Sequence, residues 1–216
     1  MGIRICSFIK KRIFFFSILL ITTSSYGQFY HGIEIGSRIT NADFMMDTSR
    51  EPSSAFGFSL GYAAERDLSQ NIYVKVAVLA SKRSFNANNI RGINTTEEKW
   101  GLNVIEIPIN LGYYLNVNNR NFQIFVEGGL NVDYNIRAFV KNDNETITLD
   151  IGSEAGVNRI STGVNFGAGL LFSKRMKVRL HYYKGLTNVL NTEDDIWKNS
   201  AIGISLNYFL KKREPY

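Results

Sequence analysis

The residues best suited to acid–base or metal chemistry are the two histidines, His31 and His181. They show no His-x-x-His pair, and no cysteine stands near either one. The ligand spacing of a zinc site is therefore missing. Nucleophilic catalysis would need a hydroxyl held against a base. Serine and aspartate are plentiful, so a triad on His181 stays open, but a lone strand histidine reads first as a member of a polar network. Asp143, Asn144 and Glu145 cluster in one stretch, and Glu193, Asp194 and Asp195 in another. Neither has the ordered ligand spacing of a calcium loop, so both read as solvated segments. Gly167-Ala168-Gly169 falls inside an expected strand, not between a strand and a helix, and is no dinucleotide fingerprint. No catalytic, cofactor-binding or metal-binding residue is assigned, and the chain reads as non-enzymatic.

The elements that would position these side chains follow an inverted pattern. In Ala201–Leu210 one face carries Ile202, Ile204, Leu206, Tyr208 and Leu210, while the other carries Ala201, Gly203, Ser205, Asn207 and Phe209. Phe56, Phe58, Leu60 and Tyr62 likewise alternate with Gly57, Ser59, Gly61 and Ala63. A soluble barrel would pack its large apolar side chains inside. Glycine, polar and charged residues facing inward suit a barrel whose apolar surface faces lipid. A secreted lipocalin-like binder would need the opposite arrangement.

Eight strands are expected, near Phe29–Thr40, Ala55–Glu65, Asn71–Ser81, Lys99–Asn116, Asn121–Val140, Arg159–Ser173, Met176–Thr187 and Ser200–Leu210. The connections Arg66–Gln70, Val117–Arg120 and Lys174–Arg175 are short. Asn41–Ser54, Lys82–Glu98, Lys141–Asn158 and Asn188–Asn199 are long and polar. The fold class is thus all-β: an eight-stranded antiparallel up-and-down transmembrane β-barrel with short periplasmic turns and long outer loops. Leu102 and Val104 break the register held by Ile105, Ile107, Ile109 and Leu111, and Pro108 follows in mid-strand. A bulge near Asn103–Pro108 would account for both. Tyr62, Tyr113, Phe122 and Tyr208 are expected in one interfacial girdle, with Trp100, Tyr134 and Tyr182 in the other.

The expected lumenal polar network comprises Glu34, Arg38, Lys75, Glu106, Glu127, Asp133, Arg137, Lys177, Arg179 and His181. Eight strands enclose a space that side chains just fill, and buried charges must pair. A plugged core is favoured over a narrow conducting path.

Residues 1–27 have the form of a cleaved signal peptide, with a basic start, the apolar run Ile13–Ile21 and Ser25-Tyr26-Gly27 before the cut. The barrel domain is then 28–216. Four of the 25 basic residues precede residue 28 and all 19 acidic ones follow it, which leaves +2 for the remainder. That gives no basis for nucleic-acid binding, which needs a clustered basic face. The lone cysteine, Cys6, lies in the signal. The expected setting is the outer membrane of a diderm bacterium. The expected partners are its lipid and lipopolysaccharide together with envelope proteins, around a single, monomeric barrel.

Three segments carry a family likeness: Val104-Ile105-Glu106-Ile107-Pro108-Ile109-Asn110-Leu111, Tyr183-Lys184-Gly185-Leu186-Thr187-Asn188, and Lys198-Asn199 leading to Tyr208-Phe209. With the glycine-rich Gly163–Gly169 strand and Gln28 after the signal, the chain resembles the PorT-like outer-membrane β-barrel family of Bacteroidota. The resemblance implies a proline at position 108 as part of the pattern and supplies no catalytic residues. The family's name-giver is linked to type IX secretion and gliding. The leading expectation is a structural, adhesive or assembly role with specificity in the outer loops. An accessory part in protein secretion, or a small pore, is the alternative.

Overall fold

The computed structural model describes residues 28–45, 50–91, 94–115, 122–142, 145–152, 156–192 and 195–212. The expected signal peptide lies outside them. Nine strands run in chain order: β1 Phe29–Met45, β2 Arg50–Asp67, β3 Ile72–Arg91, β4 Asn94–Leu115, β5 Phe122–Lys141, β6 Thr146–Leu149, β7 Ile160–Phe172, β8 Met176–Gly185 and β9 Ile196–Phe209. Every ladder is antiparallel. The β1–β9 and β4–β5 pairings close eight of the strands into an up-and-down barrel. The short β6 is an addition at one rim, paired only with the end of β5. We call the end where β1 begins and β9 finishes the turn end, and the other, which carries the long connections 142–159 and 186–195, the loop end.

The orientation of the strands is inverted relative to a soluble barrel. Leu130 and Leu180 are 62% exposed and Ile202 60%, while Glu34 and Lys177 are each 1% exposed. On β5 the outward apolar positions run from Ile124 to Ile136. At about 3.3 Å per residue and a tilt of roughly 45°, they form a band close to 28 Å tall, near the hydrocarbon thickness of a bilayer. The lipocalin-like alternative, which needs these faces reversed, is thereby removed.

Several local expectations are corrected. Lys82–Glu98 is not a polar loop, because β3 and β4 continue as a long hairpin out to Arg91 and Asn94. Strands also occupy most of Asn41–Ser54. The inward residues of these extensions include Ala42, Phe44, Phe85 and Ala87, so they gain apolar burial that a loop would forgo.

No bulge lies in β4. That strand keeps one alternation, with Leu102, Val104, Glu106, Pro108 and Asn110 all buried. The register shift is on its partner, where Asn103 faces Arg137 and Val104 faces Asn135. The extra residue is Ile136 of β5. Pro108 stays in register opposite Asn131. Toward β3, the pairs Val76–Ile109 and Leu79–Glu106 bracket two unpaired positions, which absorb the donor that proline lacks.

The β7–β8 turn is tight. Ser173 and Lys174 adopt φ of 48° and 58°, and the Arg175 amide donates to the Phe172 carbonyl at 3.0 Å. Two left-handed residues in succession give the hairpin turn whose twist matches its strands.

Candidate functional site

The interior holds the chain's concentration of ionisable groups, in three layers. At the turn end Tyr30, Tyr73, Tyr114, Phe125, Leu171 and Phe209 pack together. At the loop end Phe44, Phe85, Trp100, Leu102 and Trp197 join Val157, Val189 and Leu190 from the loops. Between them lies a charged layer.

The charged layer has two connected parts. Nearer the loop end, Arg38 donates through both terminal nitrogens to Glu106, at 2.6 and 3.2 Å. Arg83 bridges Glu106 at 2.8 Å and Asp133 at 2.7 Å, and its guanidinium lies 4.1 Å from the Tyr183 ring centre. The Tyr183 hydroxyl donates to Asp133 at 2.8 Å. Nearer the turn end, Glu127 accepts from Arg179 at 2.5 Å and from Lys177 at 3.2 Å, with Lys75 at 3.8 Å. Tyr73 and Asn110 donate to the same carboxylate at 2.7 and 3.0 Å. Glu34 pairs with Lys75 at 2.8 Å and Arg179 at 3.1 Å, and Lys177 pairs with Glu65 at 2.6 Å. The Lys177 ammonium also sits 3.8 Å from the Tyr73 ring centre and 4.0 Å from that of Phe125, tying this layer to the turn-end aromatics.

Five carboxylates (Glu34, Glu65, Glu106, Glu127 and Asp133) thus meet five bases (Arg38, Lys75, Arg83, Lys177 and Arg179), and each group has at least one opposite partner. The layer is neutral as a whole, the condition under which buried charge is tolerated. Small neighbours make it fit. Arg38 stands between Gly57 on β2 and Gly203 on β9, and a Cβ on Gly203 would come within 2.9 Å of the Arg38 Cβ.

Nine of the ten residues expected to face the lumen are buried in this layer: Glu34, Arg38, Lys75, Glu106, Glu127, Asp133, Lys177, Arg179 and His181. Arg137 is not. It is exposed on the outer face, because the extra residue at Ile136 reverses the alternation beyond it. Glu65 and Arg83 were outside the expected set. Glu65 ends an expected strand and Arg83 falls in an expected loop, yet both continue the inward parity of their strands.

His181 is buried against Gly203, and its Nδ1 has no hydrogen-bond partner. It touches no hydroxyl or carboxylate by hydrogen bond among the described residues, so no nucleophile–base pair is assembled there. His31 lies near the turn end in contact with the Tyr62 hydroxyl. Among the described residues, no three of His, Cys, Asp and Glu are grouped to hold a metal ion. Asp143, Asn144, Glu193 and Asp194 lie outside them.

Among the described residues, the bore at the loop end is filled by aromatic packing. Phe44 lies 4.9 Å from both Phe85 and Trp100, and Trp197 meets Trp100 edge-on at 5.7 Å. Both indole N–H groups are satisfied: Trp197 donates to Asn199 at 2.8 Å and Trp100 to Glu98 at 3.2 Å. Trp100 is therefore an interior residue and not part of a girdle. Tyr134 and Tyr182 do face outward, each 43% exposed. Asn158 donates to the Asn188 and Leu190 carbonyls at 3.1 and 3.0 Å, which stitches the two long loops together over the cluster.

Residues 23–191 match the family model described as outer membrane protein beta-barrel domain, and the chain belongs to that family. It is an outer-membrane protein. Among solved structures it is similar to Neisserial surface protein A, at 14% identity over 85% of this chain and 99% of that one, with a TM-score of 0.47. It is also similar to the attachment invasion locus protein Ail of Yersinia pestis, solved with the heparin analogue sucrose octasulfate. There the identity is 13% over 85% and 99% of the two chains, with a TM-score of 0.41. For the outer membrane protein OprG of Pseudomonas aeruginosa the values are 9%, 85%, 93% and 0.44. No curated protein matches the sequence.

Proposed function

We propose that this member of the outer-membrane β-barrel family is a closed, non-enzymatic scaffold. In this reading the lumen is a plug and the loop end carries the adhesive or assembly role. The observation behind it is the pairing of the five acids and five bases, capped on both sides by aromatic clusters. A conducting path would need mobile or unpaired charge along a water-filled bore, whereas eight strands leave room only for their own side chains. Rigid scaffolds of this kind place specificity in their loops. The likeness of Val104–Leu111 to the PorT-like pattern belongs to the same proposal, with outer-membrane lipid and envelope proteins as the partners.

The test is complementation of a deletion strain with a barrel whose segments 142–158 and 187–195 are replaced by short Gly-Ser turns. Retained folding, read as a heat-dependent gel shift, with loss of complementation is the expected result. Full complementation by the trimmed barrel would move the function to the barrel wall.

A further inference from the structure

The exterior of the barrel changes character abruptly on β3, β4 and β5. Outward positions are apolar up to the row Ala80–Ile105–Tyr134. The next row is Lys82–Asn103–Arg137, the one after it Ser84–Gly101–Phe139, and the next Asn86–Lys99–Lys141. Four cations from three strands therefore bracket one aromatic ring, immediately above the apolar band.

Three features mark this patch as built to receive something. The Phe139 ring lies flat on Gly101, where an added Cβ would come within 2.2 Å of it, and glycine alone leaves that seat open. The Lys82 ammonium and the Arg137 guanidinium lie 5.5 and 5.9 Å from the ring centre. Lys99 and Lys141 face each other directly across the ladder, an arrangement that destabilises a sheet when nothing compensates it. None of the four cations has a carboxylate partner among the described residues. The nearby outward Glu97 and Glu145 make no ion pair with them. On the far side of the same rim, by contrast, Lys184 is paired with Asp43 at 2.5 Å. The bulge supplies two of the four cations. Without Ile136 as an extra residue, Arg137 and Lys141 would point into the lumen, where the charges already balance.

We propose that this patch binds the phosphate groups of a phosphorylated lipid in the leaflet at the loop end. Arg137 and Lys82 would hold one phosphate at the edge of the apolar band, and Lys99 and Lys141 a second. Those two rows are separated by four residues, roughly 13 Å along the strand. Phe139, between the cations and below the head group, packs against the lipid's carbon framework. A lipid is favoured over a soluble polyanion because the patch is on the barrel wall at head-group depth and continues the lipid-facing surface. The proposal rests on the placement in the outer membrane and is independent of the role given to the loops.

The test is native mass spectrometry of the folded full chain in detergent, with bisphosphorylated lipid A and with the same lipid stripped of phosphate. The phosphorylated lipid is expected to bind preferentially. The variant Arg137→Gln/Lys141→Gln should weaken that binding roughly 30-fold, the size expected for two cations at a membrane surface. Lys184→Gln on the opposite rim should bind as the parent does. A heat-dependent gel shift for each variant shows that the barrel has folded. Equal binding of the two lipids, or equal binding by parent and double variant, would overturn the proposal. Displacement of the lipid by inorganic phosphate at the same concentration would also overturn it, by making the site one for a free anion.

Discussion

In the middle of the barrel every acid touches a base. A few residues along the same strands, the loop end holds Phe44, Phe85, Trp100 and Trp197 packed ring against ring. The two regions fill the same bore by opposite means. The middle is held by pairing, so it is intolerant of losing one partner and nearly indifferent to losing a matched two. The loop end is held by apolar contact, so it responds to volume and not to charge. In the proposed plug they close the lumen twice, by independent physics.

The contrast can be broken most forcefully at Glu127, the carboxylate shared by Lys75, Lys177 and Arg179. Glu127→Leu should cost about 3–5 kcal/mol, because it leaves three buried cations to share Glu34 and Glu65 and the layer one negative charge short, and should lower the urea midpoint of the refolded barrel accordingly. Trp197→Ala empties the loop-end cluster and should cost about 3 kcal/mol in the same assay, with no change in its dependence on salt. The matched replacement Arg38→Met/Glu106→Leu is expected to stay within about 1 kcal/mol of the parent, because Arg83 keeps Asp133. A cost as large as that of Glu127→Leu would show that the middle layer depends on each individual pair and not on charge balance. The smallest effect belongs to the exposed rim pair. Lys184→Ala should shift stability by no more than about 0.5 kcal/mol, as its partner Asp43 is more than half exposed.

Much of this was legible because a strand has a period of two. Once Ile33, Ile35 and Ile39 are assigned to lipid, Glu34 and Arg38 must face inward, and the same parity places Lys75, Glu127, Lys177 and Arg179. Parity says nothing about where a strand ends or gains a residue. Arg83 was missed because Lys82–Glu98 is polar on its outward side, although Arg83, Phe85 and Ala87 keep the inward rhythm. Arg137 was misplaced because the flip caused by Ile136 is a property of the β4–β5 pairing and leaves no trace in β5 alone. The irregular face of Leu102 and Val104 was the visible sign of something real, but its cause was the start of the apolar cap and not a bulge in their own strand. Which acid meets which base depends on contacts across the bore, between residues up to 145 positions apart, and no local pattern encodes that.

The central claim is that the lumen is closed. Single-channel recording in planar lipid bilayers tests it most directly, using protein whose folded state is confirmed by its heat-dependent gel shift. A sealed, charge-balanced bore should give no discrete current steps above the bare bilayer at any applied voltage. Reproducible unitary conductance from the folded barrel would contradict the account and turn the charged layer into the lining of a path.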